Sequence, residues 1–158
     1  MTLEKTTAMR ILEAAGIAYI PFEYASGEAT SGVEVARLLS KDPQTVFKTL
    51  VTVGKTRRHY VFMIPVAEEL DLRKAALAVG EKSIEMIKSK ELLPLTGYVH
   101  GGCSPIGMRK AFPTFIDETA LICETITYSA GKIGIQLEMP LPDLQKLISI
   151  VPVDLCQI

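Results

Sequence analysis

No stretch of this sequence stays apolar for the roughly 20 residues that a membrane-spanning helix needs, and Met1 to Arg10 lack the apolar core of a signal peptide. Both absences point to a cytoplasmic protein. The three cysteines, Cys103, Cys123 and Cys156, are odd in number, widely spaced and without a CxxC pair, which speaks against a disulfide framework or a four-ligand zinc site. With only two histidines, His59 and His100, and no ligand pair at i, i+4 spacing, neither a metal nor another cofactor is expected. GxGxxG, GxxxxGK[ST] and GxSxG are missing too, so dinucleotide cradles, phosphate loops and the serine-hydrolase elbow are unsupported. Charge of one sign is also lacking: 17 Lys and Arg face 18 Asp and Glu, a formal net charge of -1. Tight unaided nucleic-acid binding uses a basic field that this chain does not have, so any RNA contact must be local or shared with a partner. Two short basic clusters, Lys55 with Arg57 and Arg58, and Arg109 with Lys110, read either as footprints of such a contact or as solvated turns.

What is present is the material of one folded domain. The 158 residues are 48% hydrophobic and 22% charged, without linker, repeat or low-complexity tract, so residues 1–158 are read as a single unit. Met9, Leu12 and Ala15, widened by Ile11 and stopped at Gly16, predict an amphipathic helix over 3–15. A strand is expected over 17–24. Ser31 and Glu34 have capping-box spacing ahead of Val35, Leu38 and Leu39, which predicts a second helix, and Asp42 with Pro43 suggests a further short helical turn. Residues 47–53 and 59–65 are rich in β-branched and aromatic side chains and form an expected hairpin around the turn 54–58. Leu72, Ala75, Ala76 and Val79, closed by Gly80, predict a helix, with a shorter one near 89–93. Strands follow over 114–117, 122–128 and 133–139, the last read as half-buried with Gln136 on its polar side, and a final helix over 142–150. Strands in hairpin-like runs without βαβα alternation predict an α+β domain, a mixed, curled β-sheet flanked by helices.

Four features carry possible chemistry. Lys48 lies in an otherwise apolar, threonine-rich strand, where an amine faces either solvent or a cleft in which it grips a phosphate or an oxyanion. The loop 97–107, GYVHGGCSPIG, holds four glycines; the pair Gly101–Gly102 lets backbone approach a ligand and aim amides at an oxygen, with Pro105 fixing the exit, unless it is a plain turn. Cys103 beside His100 invites a thiol-nucleophile reading, but no third group that would orient the base is evident. Ser129 sits at a turn where its hydroxyl either orients a substrate or bonds its own backbone.

Taken together, VFKTLV around Lys48, TGYVHGGCSPIG from Thr96, PTFID from Pro113 and YSAGKIGIQLEM from Tyr128, with the intervening PVAEELDLRKAALAVG, resemble the YbaK/EbsC family over nearly the whole chain. Its members are free-standing relatives of the editing domain inserted in bacterial prolyl-tRNA synthetases, and they hydrolyse mischarged aminoacyl-tRNA. The resemblance implies a partial barrel and a trans-editing aminoacyl-tRNA deacylase, in the YbaK group one that removes cysteine from tRNA(Pro). It gives Lys48 the role of the lysine essential for deacylation and Thr49 that of a pocket threonine. Gly101 and Pro105 match the GxxxP loop, with the Gly101 backbone near the scissile ester and Gly102 beside it. Ser129 matches a pocket serine and Tyr24 a pocket tyrosine. Two positions depart from the member compared: Ser31 replaces phenylalanine, which would widen or polarise one wall, and Gln136 replaces aspartate, which removes a charge.

The resemblance also implies that the protein supplies no nucleophile: the cysteine thiol of the substrate attacks its own ester, needing only to be held in a near-attack geometry. The expected partners are tRNA(Pro) charged with cysteine and prolyl-tRNA synthetase, which supplies RNA affinity to a near-neutral monomer. Alternatives are a deacylase of another mischarged tRNA such as Ala-tRNA(Pro), which lacks a thiol and needs an activated water, and a non-catalytic aminoacyl-tRNA-binding module.

Overall fold

A computed structural model of the chain describes residues 4–25, 27 and 31–157. Leu3, the first position of the expected N-terminal helix, lies outside them. The elements run α1 (Thr7–Ala14), β1 (Ile20–Glu23), α2 (Gly32–Leu38), β2 (Phe47–Gly54), β3 (His59–Pro65), α3 (Leu72–Val79) and β4 (Ile84–Met86). They continue with α4 (Ser89–Thr96), β5 (Thr114–Asp117), a 3-10 turn (Glu118–Ile122), β6 (Ile126–Ser129), β7 (Ile135–Met139), α5 (Leu141–Gln145) and β8 (Ile150–Val153).

Local chemistry accounts for several boundaries. Thr6 caps α1 by accepting from the Met9 amide, and the Met9 sulfur accepts from the Thr6 amide in return, so two otherwise orphaned donors are met. Asp71 caps α3 through the Arg73 and Lys74 amides, and Gly80 ends it in the left-handed region at φ 75°. Ser31 caps α2 through the Glu34 amide, while the Glu34 carboxylate turns to Arg37 instead of closing the capping box. Asp42 and Pro43 form a hydrogen-bonded turn rather than the expected helical one, with the Asp42 carboxylate accepting from the Gln44 amide.

The strands make two sheets, one of three in the order β1-β7-β6 and one of five in the order β4-β2-β3-β5-β8. The hairpin β2–β3 is antiparallel, whereas β3–β5 and β5–β8 are parallel, so the α+β expectation with mixed strands holds. Where a single curled sheet was expected, two sheets meet at a seam: Val46 pairs in parallel with Thr127, whose amide donates to the Thr45 carbonyl at 3.0 Å. The sheets do not close into a barrel. β3 is central, and both its faces are covered. Tyr60, Phe62 and Ile64 pack with α3, while Val61 and Met63 pack on the other side, which is why this strand reads as a continuous apolar run.

Two further expectations are corrected, and one strand is added. The final helix stops at Gln145 because Ile150 is taken by β8, paired with Thr114; Pro152 is tolerated there because β8 is an edge strand. β4 is too short to show in the pattern, and it forms by pairing with the end of β2. The strand expected over 122–128 begins only at Ile126, since Asp117 caps the 3-10 turn through Thr119 and Ile122 is left 88% exposed.

Asp117 is a buried tie between β5 and the C-terminal segment. One carboxylate oxygen accepts from the Leu155 amide at 2.9 Å, the other from the Thr119 amide and hydroxyl at 3.1 and 2.7 Å. Burial by itself raises its pKa, but these donors outweigh burial and hold it below the ordinary carboxylate value. A depressed pKa means that the charged form stabilises the fold. The contribution is complete above the unfolded value near about 4 and is lost as pH falls through the lower folded value. Asp117→Asn is expected to lower unfolding free energy by on the order of 2 kcal/mol at neutral pH. Urea titrations of both proteins should show the difference shrinking as pH is lowered below about 4.

Candidate active site

The seam decides where the polar side chains meet. Thr127 lies beside Val46, and two residues further along their strands Ser129 and Lys48 reach one cavity of about 360 Å3. Gln136 is opposite Ser129 across the β6–β7 pair and lines the same cavity. The Tyr24 amide donates to the Gly134 carbonyl at 2.9 Å, carrying the chain beyond β1 so that Tyr24 forms part of the wall. Thr49 follows Lys48 on β2, and Gly101 and Cys103 bring in the glycine-rich loop.

α2 closes one side, with Ser31, Gly32 and Val35 on the wall. Gly32 permits the approach, for a Cβ there would sit 2.5 Å from a Val66 methyl. At Gly101 the requirement is conformational, since φ is 86° while a Cβ would find ordinary contact with Ile133. Neither the Gly101 nor the Cys103 amide donates to a protein acceptor among the described residues. The loop is pinned by Tyr98, whose hydroxyl donates to the Ile106 carbonyl and whose ring lies where a Cβ on Gly131 would be.

Two of the expected pocket residues lie elsewhere. Gly102 is buried against the turn before β7, where a Cβ would come 3.1 Å from the Ile133 backbone nitrogen, so its smallness serves loop packing. Pro105 is buried at the loop's exit and lines a separate, larger depression with Gly107, Met108, Lys110 and Phe112. That depression lacks the cluster of unpaired polar atoms that marks the smaller cavity.

The electrostatics of the cavity rest on one cation and two unanswered acceptors. Lys48 is 30% exposed, and its ammonium is 4.0 Å from the Glu69 carboxylate, itself 77% exposed. So long and wet a pair contributes little, leaving the ammonium available to another anion. Thr49 Oγ1 and Gln136 Oε1 are buried without a hydrogen-bond partner among the described residues. Each such atom costs roughly 1–3 kcal/mol, a state that a ligand donor would relieve. Gln136 was read from the sequence as the polar side of a half-buried strand. It is only 6% exposed, and no local signal foretells that, because its burial comes from α2 and β2, which gather around the same cavity from distant parts of the chain.

Ser129 Oγ accepts from the Gly131 amide at 3.1 Å, so the turn-stabilising and cavity-lining readings of this serine both hold geometrically, and its proton is left to donate. Cys103 packs with Val51, Val61 and Leu92, and burial pushes its thiol up to about 12. A thiol so raised stays protonated at neutral pH and is a poor nucleophile. Among the described residues no three His, Cys, Asp or Glu side chains converge to hold a metal ion, and no helix is long and apolar enough to cross a membrane.

The model of the aminoacyl-tRNA editing domain matches residues 26–147. The chain belongs to the aminoacyl-tRNA editing family. A curated relative of this editing domain, EbsC of Enterococcus faecalis (strain ATCC 700802 / V583), is 46% identical over 139 residues, covering 87% of this chain and 85% of that protein. Its name carries a provisional assignment as a Cys-tRNA(Pro)/Cys-tRNA(Cys) deacylase. Among solved structures, one described as a candidate trans-editing enzyme for prolyl-tRNA synthetase superposes with a TM-score of 0.84 at 24% identity, covering 98% of this chain and 99% of that one. The hypothetical protein APE2540 gives 0.85 at 20% identity, covering 94% and 97%. At these identities the structural likeness is one of fold.

Two outcomes check the cavity. Gln136→Leu should leave the urea midpoint unchanged or raised, because it removes an unpaired buried acceptor; a loss above about 1 kcal/mol would show that the amide is already partnered. In native protein at neutral pH, Cys103 should be alkylated at least ten-fold more slowly than in urea, read by peptide mass mapping; equal rates would contradict its raised pKa.

Proposed function

We propose that this editing domain deacylates tRNA(Pro) mischarged with cysteine, acting in trans. The observation that carries the reading is a cavity that joins an available ammonium, Lys48, to two unpaired acceptors, Thr49 Oγ1 and Gln136 Oε1, while its one thiol is held protonated. The acceptors suit the α-ammonium of an aminoacyl group. Lys48 suits the phosphate or ribose of the terminal nucleotide, and amides of the Gly101 segment suit the carbonyl oxygen as it gains charge.

A cavity so equipped binds and polarises but offers no activated nucleophile, so the attacking group is assigned to the substrate. The cysteine sulfur forms a bond to its own ester carbonyl carbon, the bond to the tRNA ribose oxygen breaks, and the thiol proton passes through solvent to that oxygen. The products are free tRNA and a thiolactone, which water opens to cysteine. Holding a reactive pair that is already in one molecule is what an enzyme can do with positioning alone. In this reading prolyl-tRNA synthetase is the neighbour that delivers the substrate, and the chain acts as a monomer.

The test is release of amino acid from tRNA(Pro) charged separately with cysteine, alanine and proline. Cysteine should be released selectively, and Lys48→Ala should slow its release by roughly 100-fold, while the urea midpoint stays near wild type because the side chain is partly exposed. Release of alanine at a comparable rate would overturn the thiol mechanism. A folded Lys48→Ala protein with full activity would remove Lys48 from its role.

A further inference from the structure

The two basic clusters, remote in sequence, come together in the fold. His59 at the end of the β2–β3 turn packs on Phe112 with ring centroids 5.6 Å apart, and the Val61 amide donates to the Pro113 carbonyl at 2.9 Å. The turn carrying Lys55, Arg57 and Arg58 thereby lies beside the segment carrying Arg109 and Lys110. All five side chains are exposed and none forms an ion pair among the described residues. Arg109 donates to the Pro94 carbonyl and lies over Gly97, which leaves its charge uncompensated. The nearby carboxylates do not cancel the group. Glu81 accepts from Thr56 and Tyr60 and feels the charge of Arg58, and Glu85 lies on β4 opposite Val53, so the cations remain in excess.

A second observation concerns the backbone. Arg57 has φ 75°, a left-handed conformation that favours glycine at such hairpin positions. The turn requires that conformation, and an arginine there carries backbone strain that glycine would avoid, which points toward use of the side chain. Finally, the loop that places Gly101 on the cavity wall runs on in sequence through Pro105 to Arg109 and Lys110, and the hairpin tip ends the same strand, β2, that carries Lys48 into the cavity.

We propose that the hairpin tip and residues 109–112 form one edge that binds the phosphate backbone of the RNA whose charged 3′ end enters the cavity. The proposal rests on the deacylase reading for the identity of that RNA. Its chemistry is that of phosphate recognition by lysine and arginine, with no base readout. A chain of net charge -1 that gathers unpaired cations on one edge presents that edge to a polyanion and turns the rest away.

The probe is a fluorescein-labelled RNA hairpin of acceptor-stem length ending in CCA, uncharged, followed by fluorescence anisotropy over a salt series. Arg58→Glu with Lys110→Glu should weaken binding at least ten-fold and reduce the slope of log Kd against log salt by about 2. Arg73→Glu, at an exposed unpaired cation on α3 across the five-stranded sheet, should stay within two-fold of wild type. Arg57→Gly should weaken binding several-fold while its melting temperature is equal or higher, opposite signs that simple damage to the fold does not produce. The neutral pair Arg58→Gln with Lys110→Gln, checked by urea midpoint, keeps the test valid if charge reversal impairs folding. Equal affinity across wild type and edge variants, or an equal loss with Arg73→Glu, would overturn the edge. The two readings fail separately. If cysteine is never released but hairpin binding follows the edge, the edge stands and the deacylase reading falls. If release depends on Lys48 while edge variants keep wild-type KM for charged tRNA, the edge falls alone.

Discussion

The parallel pairing of Val46 with Thr127 is the contact on which the rest of the site depends. It fastens the three-stranded sheet to the five-stranded one at the place where both β2 and β6 begin. The polar strand residues of the cavity are placed from that point: Lys48 and Thr49 just beyond Val46, Ser129 just beyond Thr127, and Gln136 opposite Ser129. A sheet closed into a barrel would have filled this corner with ladder hydrogen bonds. Because a single bridge joins the sheets among the described residues, space remains between them for α2 and the glycine-rich loop to roof over.

The cavity's character comes from what it leaves unsatisfied. Nearby polar groups of the same fold are fully engaged: Glu138 receives Lys41 and Thr125, and although burial raises its pKa, the Lys41 ammonium and these hydrogen bonds hold it below the usual range. The Lys41 ammonium also rests 4.1 Å from the Phe22 ring. Against that background, unpaired Thr49 and Gln136 are the exceptions among the described residues, and both lie in the cavity that also holds Lys48. Buried acceptors without donors lower stability, and their persistence beside a cation with a weak partner fits a place made for a ligand.

Where short-range physics decides, the sequence was legible. Asp71 and Gly80 bound α3 by capping chemistry, the 47–65 hairpin showed in its β-branched run, and the four glycines of 97–107 marked a loop that does adopt left-handed backbone at Gly97, Gly101 and Gly107. The candidate site was legible mainly through the ordered motifs that resemble an editing family, since Lys48 or Ser129 alone more often has an ordinary structural reading. Gly102 and Pro105 show the limit of that route. A motif names residues that travel together, but it does not say which of them face the cavity and which hold the loop in shape.

The sequence by itself determined the fold class, the absence of a disulfide pattern, the main helices and the central hairpin, because caps, periodicity and turn residues act over a few positions. Tertiary structure alone decided the rest. β4 and β8 exist because distant strands offer them backbone partners, and the latter shortens α5 by claiming Ile150. Gln136 is buried because α2 and β2 gather around its face of β7, and the 54–58 turn is tied toward the segment before Pro113 because His59 packs on Phe112. These outcomes depend on pairings across tens of residues, whose register no local pattern encodes.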